Sequence, residues 1–138
     1  MGAPLRLDHG ALLVADEQRA REFYVDGLGL TEVPRPPSFD FPGLWVAVGD
    51  QQLHVIGEAE AGRAHAVHPG YRDDELARGY ATHLALDVDD FDGYLARLRE
   101  RGIPLVGGPR DRGDGVQQAY VTDPDGNVIE IMAGRPAS

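Results

Sequence analysis

Leu5-Arg6-Leu7-Asp8-His9-Gly10-Ala11-Leu12-Leu13-Val14 and Ala81-Thr82-His83-Leu84-Ala85-Leu86-Asp87-Val88 are two strand-like runs, and each places a histidine near its start. His9 and His83 are 74 residues apart. Two later runs, Gln52–Ile56 and Asn127–Met132, carry His54 and Glu130, which are 76 residues apart. Offsets this close indicate that the second half of the chain repeats the first. They also suggest that the four side chains meet at one centre.

The surrounding elements repeat in the same order. Asp16 caps a helix that runs to about Gly27, with Ala20, Phe23, Tyr24 and Leu28 at helical spacing. A short strand follows at Leu30–Pro34, then a proline-rich loop to Pro42. Leu44–Val48 and Gln51–Gly57 form a hairpin across Gly49-Asp50. In the second half Asp90 caps a helix through about Arg101, with Phe91, Leu95 and Leu98 as its apolar stripe, and Gly102 stops it. Ile103–Val106 reads as a short strand. Val116–Thr122 and Asn127–Met132 flank the turn Asp123-Pro124-Asp125-Gly126. The order is βαβββ twice, an α+β fold. Residues 5–57 form one module and residues 81–133 the other. Residues 58–80 form a linker or lid without sustained periodicity.

The chain has 138 residues, enough for one domain. A net charge of −10 opposes general nucleic-acid binding, which needs clustered Lys and Arg. There is no cysteine, so a bound metal must take nitrogen and oxygen ligands. No segment reads as a signal peptide or membrane span, which points to the cytoplasm.

The segments Leu7-Asp8-His9-Gly10-Ala11-Leu12, Phe23-Tyr24-Val25-Asp26-Gly27-Leu28-Gly29-Leu30, Thr82-His83-Leu84-Ala85-Leu86-Asp87-Val88 and Asp123-Pro124-Asp125-Gly126-Asn127-Val128-Ile129-Glu130-Ile131 resemble the vicinal oxygen chelate superfamily. This is the group of glyoxalases, bleomycin resistance proteins and dioxygenases, and the resemblance spans Leu5 to Met132. It implies one glyoxalase-like domain over residues 1–138, with two βαβββ modules curving into an open mixed-sheet barrel around a metal or ligand cleft. It also implies that the first and fourth strands of each module supply metal ligands. Those positions fall on His9, His54, His83 and Glu130. Many members are homodimers.

Three histidines and a glutamate suit divalent iron, nickel, cobalt, manganese or zinc. With two adjacent positions left open on such an ion, a small substrate could chelate through neighbouring oxygens. Glu130 interrupts the apolar run Val128–Met132, where a carboxylate needs a cation or donor. At the position of His54, glyoxalase I-like members carry a carboxylate and several epimerases an amide, which weighs against glyoxalase I chemistry. A histidine there could instead be a non-coordinating proton shuttle.

A two-residue loop at Gly49-Asp50 would set Trp45 opposite His54, beside the ligands or within the core. A bulged turn after Asp123 would set Tyr120 opposite Glu130, and an unbulged one would set Ala119 there. Glu130, His54 and Tyr120 are the candidate catalytic residues. Trp45, Tyr120 and Arg110 are the candidate substrate contacts. Arg112 is a further candidate for an anionic substrate. His65 and His68 are solvated or belong to a cover. Asp87-Val88-Asp89-Asp90 reads as helix capping.

The leading expectation is a metal-dependent lyase or isomerase of glyoxalase type. The alternatives are an extradiol-type dioxygenase and a metal-free drug-binding protein of the bleomycin-resistance type.

Overall fold

The computed structural model describes residues 2–134. The chain divides into two compact units, Met1–Val67 and His68–Ser138, and the division falls inside the segment 58–80.

The first unit contains β1 (His9–Val14), α1 (Glu17–Arg21), β2 (Thr31–Val33), β3 (Gly43–Val48), β4 (Gln51–Gly57) and α2 (Arg63–Val67). Its sheet has the order β1-β4-β3-β2. β1 runs parallel to β4, and the other pairs are antiparallel. Asp16 caps α1 by accepting a hydrogen bond from the Arg19 amide. The helix then widens into a π-helical turn over Glu22–Gly27, with the Leu28 amide reaching back five residues to the Phe23 carbonyl. One sheet face carries Val14, Leu44, Val46, Leu53 and Val55. These are buried with Ala20, Phe23, Tyr24 and Leu28 from the helical segment. Alternation of side chains along the strands sends His9, Trp45 and His54 to the opposite face.

The second unit contains α3 (Asp73–Arg78), β5 (His83–Asp87), α4 (Phe91–Glu100), β6 (Gly107–Asp111), β7 (Gln117–Thr122) and β8 (Val128–Ala133). Its sheet order, β5-β8-β7-β6, repeats that of the first. Asp90 caps α4 through the Gly93 amide. Leu86, Val121, Ile129 and Ile131 form the buried face together with Phe91 and Leu98. His83, Tyr120 and Glu130 project from the other face.

Several boundaries differ from the sequence reading. β1 begins at His9, not Leu5, because its parallel partner β4 begins only at Gln51, after the Gly49-Asp50 turn, and the ladder starts with His9 beside Gln52. Leu5 and Leu7 are therefore exposed. The strand expected at Ile103–Val106 forms instead at Gly107–Asp111. Pro104 cannot donate to a ladder, and pairing begins only where the Val106 amide meets the Tyr120 carbonyl. Gly107 and Gly108 let this strand pass tightly between other backbones. A Cβ on Gly107 would lie 2.7 Å from the Leu76 carbonyl oxygen, and one on Gly108 would crowd the Gln118 carbonyl. The segment 58–80 holds two short helices. Glu58 caps α2 by accepting from the Gly62 and Ala64 amides. Glu75 accepts from the Arg72 amide at the start of α3. Among the described residues, no helix is long and apolar enough to cross a membrane.

Two predictions follow from these contacts. Gly79 ends α3 at φ 74°, and a Cβ there would run into the Tyr120 hydroxyl. Gly79→Ala should cost about 1–2 kcal/mol from the left-handed backbone alone, read as a lower denaturant midpoint at unchanged slope. Arg21 bridges Glu32 of β2 at 2.8 Å, and its guanidinium holds the Glu32 carboxyl below its ordinary range against the opposing effect of burial. A lowered folded-state value stabilises above the unfolded carboxyl pKa of about 4.3 and loses that stabilisation as pH falls through the lowered value. Both side chains are partly exposed, so Glu32→Gln should cost no more than about 1 kcal/mol at neutral pH. The difference from the parent should vanish in acid melts. A constant difference across pH would refute the assignment.

Candidate functional site

Each unit brings a first-strand histidine beside a fourth-strand residue by the same register. In the parallel ladders His9 pairs with Gln52 and His83 with Val128. The next residue outward on the same face is His54 in one unit and Glu130 in the other. The antiparallel ladders add a third member, with Trp45 opposite His54 and Tyr120 opposite Glu130. Both pairings agree with the sequence reading. Two trios therefore occupy equivalent places, His9–His54–Trp45 and His83–Glu130–Tyr120.

The first trio is a column of rings. His54 stacks on Trp45 with centroids 3.8 Å apart and planes 1° apart, and on His9 at 3.9 Å and 19°. His54 Nε2 hydrogen-bonds Gln52 Oε1 at 2.9 Å. His9 Nδ1 donates to Asp8 Oδ2 at 2.9 Å, and Asp8 in turn accepts from Arg6. Burial, aided by the nearby charge of His9 and opposed by Asp8, lowers the His54 pKa below that of a free imidazole. Phe39 meets Trp45 edge to face at 5.3 Å.

The second trio is polar and deeper. Glu130 is 4% exposed. His83 Nε2 lies 3.1 Å from Glu130 Oε1, while His83 Nδ1 is 2.7 Å from the Ala81 carbonyl, which it meets as a donor. Burial first, then the Glu130 carboxylate, raise the phenol's pKa; Arg110 opposes them. Tyr120 thus keeps its proton at neutral pH. Its ring stands edge to face with His83, with centroids 5.5 Å apart.

Arg110 is committed to structure. Its guanidinium donates at 2.8 Å to the carbonyls of Ala77 and Arg78 at the end of α3, and it lies over the Tyr120 ring. Tyr71, Leu76 and Val106 pack on Ala81, Tyr120 and Val128, so the segment around α3 covers this side of the trio. Residue patterns missed this role for α3; the three acids that open it, Asp73, Asp74 and Glu75, are its one sequence signal. His68 contacts the Gly126 carbonyl and His65 is exposed. Arg112 pairs with Asp114. A hollow of about 450 Å³ beside α4, lined by Leu95, Arg99, Ile103 and Leu105, shares no residue with the trio. Among the described residues, no group of three or more His, Asp or Glu side chains is arranged as a metal cage. The structure brings the four ligand candidates together as two pairs.

Residues 6–131 match the family model of the Glyoxalase/Bleomycin resistance protein/Dioxygenase superfamily. The chain is 30% identical over 137 residues to a lactoylglutathione lyase of Escherichia coli O157:H7, covering 96% of each chain. A protein of Bacillus anthracis assigned to the glyoxalase family has a similar structure, with a TM-score of 0.77 at 26% identity over 98% of this chain and 99% of that one. So does TnmS3, an antibiotic binding protein of Streptomyces sp. CB03234, with a TM-score of 0.73 at 28% identity over 98% and 100%. With its two repeated four-stranded sheets and a match across nearly all its length, the chain belongs to the Glyoxalase/Bleomycin resistance protein/Dioxygenase superfamily.

Proposed function

We propose that the chain is a metal-dependent lyase or isomerase of glyoxalase type, acting on a small substrate that presents two neighbouring oxygens. The observation that carries this reading is the buried Glu130 carboxylate with a histidine nitrogen 3.1 Å from one oxygen. A carboxylate buried in an apolar strand is costly unless a cation or donors meet it. The donors on the two first strands also fit a divalent ion. His9 and His83 each commit Nδ1 to an oxygen acceptor, which fixes the tautomer that offers Nε2 as a ligand. The proposed ligands are His9, His83 and Glu130. Nitrogen and carboxylate donors of this kind suit iron, nickel, cobalt, manganese or zinc.

A metal bound there supplies Lewis acidity toward a chelating substrate. The chain's own groups do the rest. Tyr120, opposite Glu130 across the strands, retains its proton and is the group placed to donate one beside the carboxylate. Tyr120 and Trp45 are the proposed substrate contacts. Arg110 acts through Tyr120 and α3, since its guanidinium is occupied by backbone carbonyls. The working form is proposed to be a homodimer, a reading supported by the exposed Leu5 and Leu7.

The similarity to an antibiotic binding protein over the full length supports a second reading, a metal-free ligand-binding protein. Metal analysis of protein purified without a histidine tag separates the two. We expect a stoichiometric divalent metal, lost on chelation and at least about tenfold more weakly held in His83→Ala and Glu130→Gln. Turnover should require that metal. The first assay substrate is the adduct of methylglyoxal and glutathione, chosen because the Escherichia coli relative is a lactoylglutathione lyase. Absence of stoichiometric metal, together with unchanged ligand binding in His83→Ala, would sink the enzyme reading in favour of the binding protein.

A further inference from the structure

We propose that His54 stands outside the metal's ligand set and is the middle leaf of a Trp45–His54–His9 stack that holds the His9 imidazole in position. This rests on the reading that His9 binds a divalent metal. It departs from the equal ligand role that the repeat and the family resemblance assign to His54.

The geometry of the rings carries the argument. A metal–nitrogen bond lies in the plane of its imidazole. Two imidazoles bound side by side on one ion can be parallel only if they share one plane, edge to edge; they cannot be stacked face to face. With bonds of about 2.1 Å and an angle near 90°, their centroids stand roughly 4.5 Å or more apart. His9 and His54 are face to face, 3.9 Å apart and within 19° of parallel. In this arrangement only one of them can bind a given ion.

The nitrogens decide which. His9 ties Nδ1 to Asp8 and keeps its distal nitrogen, Nε2, for a ligand. His54 spends its distal nitrogen on Gln52 Oε1 and keeps only Nδ1, the atom next to the ring's point of attachment. β4 lies between β1 and β3 in the sheet, so His54 has Trp45 on one side and His9 on the other. Freeing His54 to coordinate would break both stacks and the Gln52 hydrogen bond. His54 is thus a positioning residue, holding the His9 ring by its face while Asp8 holds it by its edge.

The test uses tag-free full-length protein, zinc and the chain's single tryptophan, Trp45. Zinc is chosen because it has no redox chemistry. Affinity is read by competition with a chromophoric chelator. His54→Phe keeps a stacking ring without a donor and should bind zinc within about threefold of the parent. His54→Ala removes the leaf and should weaken zinc by about tenfold, the lower end of what loss of an orienting group costs; His54→Phe therefore rescues it. His9→Phe should weaken zinc more than either. Trp45 emission should change in metal-free His54→Ala and stay constant when zinc is added to the parent.

Loss of zinc in His54→Phe as severe as in His9→Phe overturns the proposal. So does a zinc-induced change of Trp45 emission in the parent that His54→Phe abolishes. If the parent binds no zinc, iron, nickel, cobalt or manganese, the metal reading fails separately. The stack is then decided by metal-free emission alone, and equal emission from the parent and His54→Ala overturns it.

Discussion

The parallel pairing of the first strand with the last in each unit is the constraint on which the site depends. Two neighbouring parallel strands cannot be joined by a tight turn; the chain must leave the sheet and return. Here the excursion is the capped helix followed by the outer strands, and it delivers the last strand into the middle of the sheet. β4 and β8 therefore have a neighbour on each side. A side chain at the middle of either strand is touched from both flanks, by a first-strand residue and by a third-strand residue. That crossing makes a trio at residue 54 and another at residue 130.

The same scaffold yields different chemistry because the residues at equivalent places differ in what they need. An imidazole between two flat rings gains from stacking, and its pKa falls because its charged form is poorly hydrated there. A carboxylate at the equivalent place would gain nothing from rings. Glu130 is met by polar neighbours, His83 at 3.1 Å and Tyr120 across the strands, and is more deeply buried. The segment 68–80 packs Tyr71 and Leu76 against the face that carries Tyr120. Arg110 fastens that segment by the last two carbonyls of α3, those of Ala77 and Arg78, and lies over the same phenol. One arginine thus links a helix terminus to the phenol that stands opposite the carboxylate.

Much of this was legible in the residues. The offsets from His9 to His83 and from His54 to Glu130 marked the repeat, because strand register preserves spacing. The two-residue turn at Gly49-Asp50 predicted Trp45 opposite His54, since hairpin register follows from loop length. Other features depend on contacts that patterns do not encode. β6 has no apolar alternation; two glycines carry it where backbones crowd. The π-helical turn at Glu22–Gly27 shares its apolar spacing with an ordinary helix. Arg110 had the charge to meet an anion, but its partners are backbone carbonyls, which every sequence has.

His54 shows where the repeat stops being a guide to chemistry. Equivalence by register places a residue; it does not assign the residue a task. A side chain reaches a metal only if its donor atom is free and its ring plane can contain the ion. At His54 the distal nitrogen is engaged and both faces are covered, whereas at His9 the proximal nitrogen is the one engaged. The difference follows from the neighbours: Asp8 lies within reach of the proximal nitrogen of His9, and Gln52 lies within reach of the distal nitrogen of His54. A carboxylate at residue 54 would have no ring to stack and two oxygens to offer. The histidine found there exchanges that donor capacity for a flat surface, and the beneficiary of the exchange is the neighbouring ring of His9.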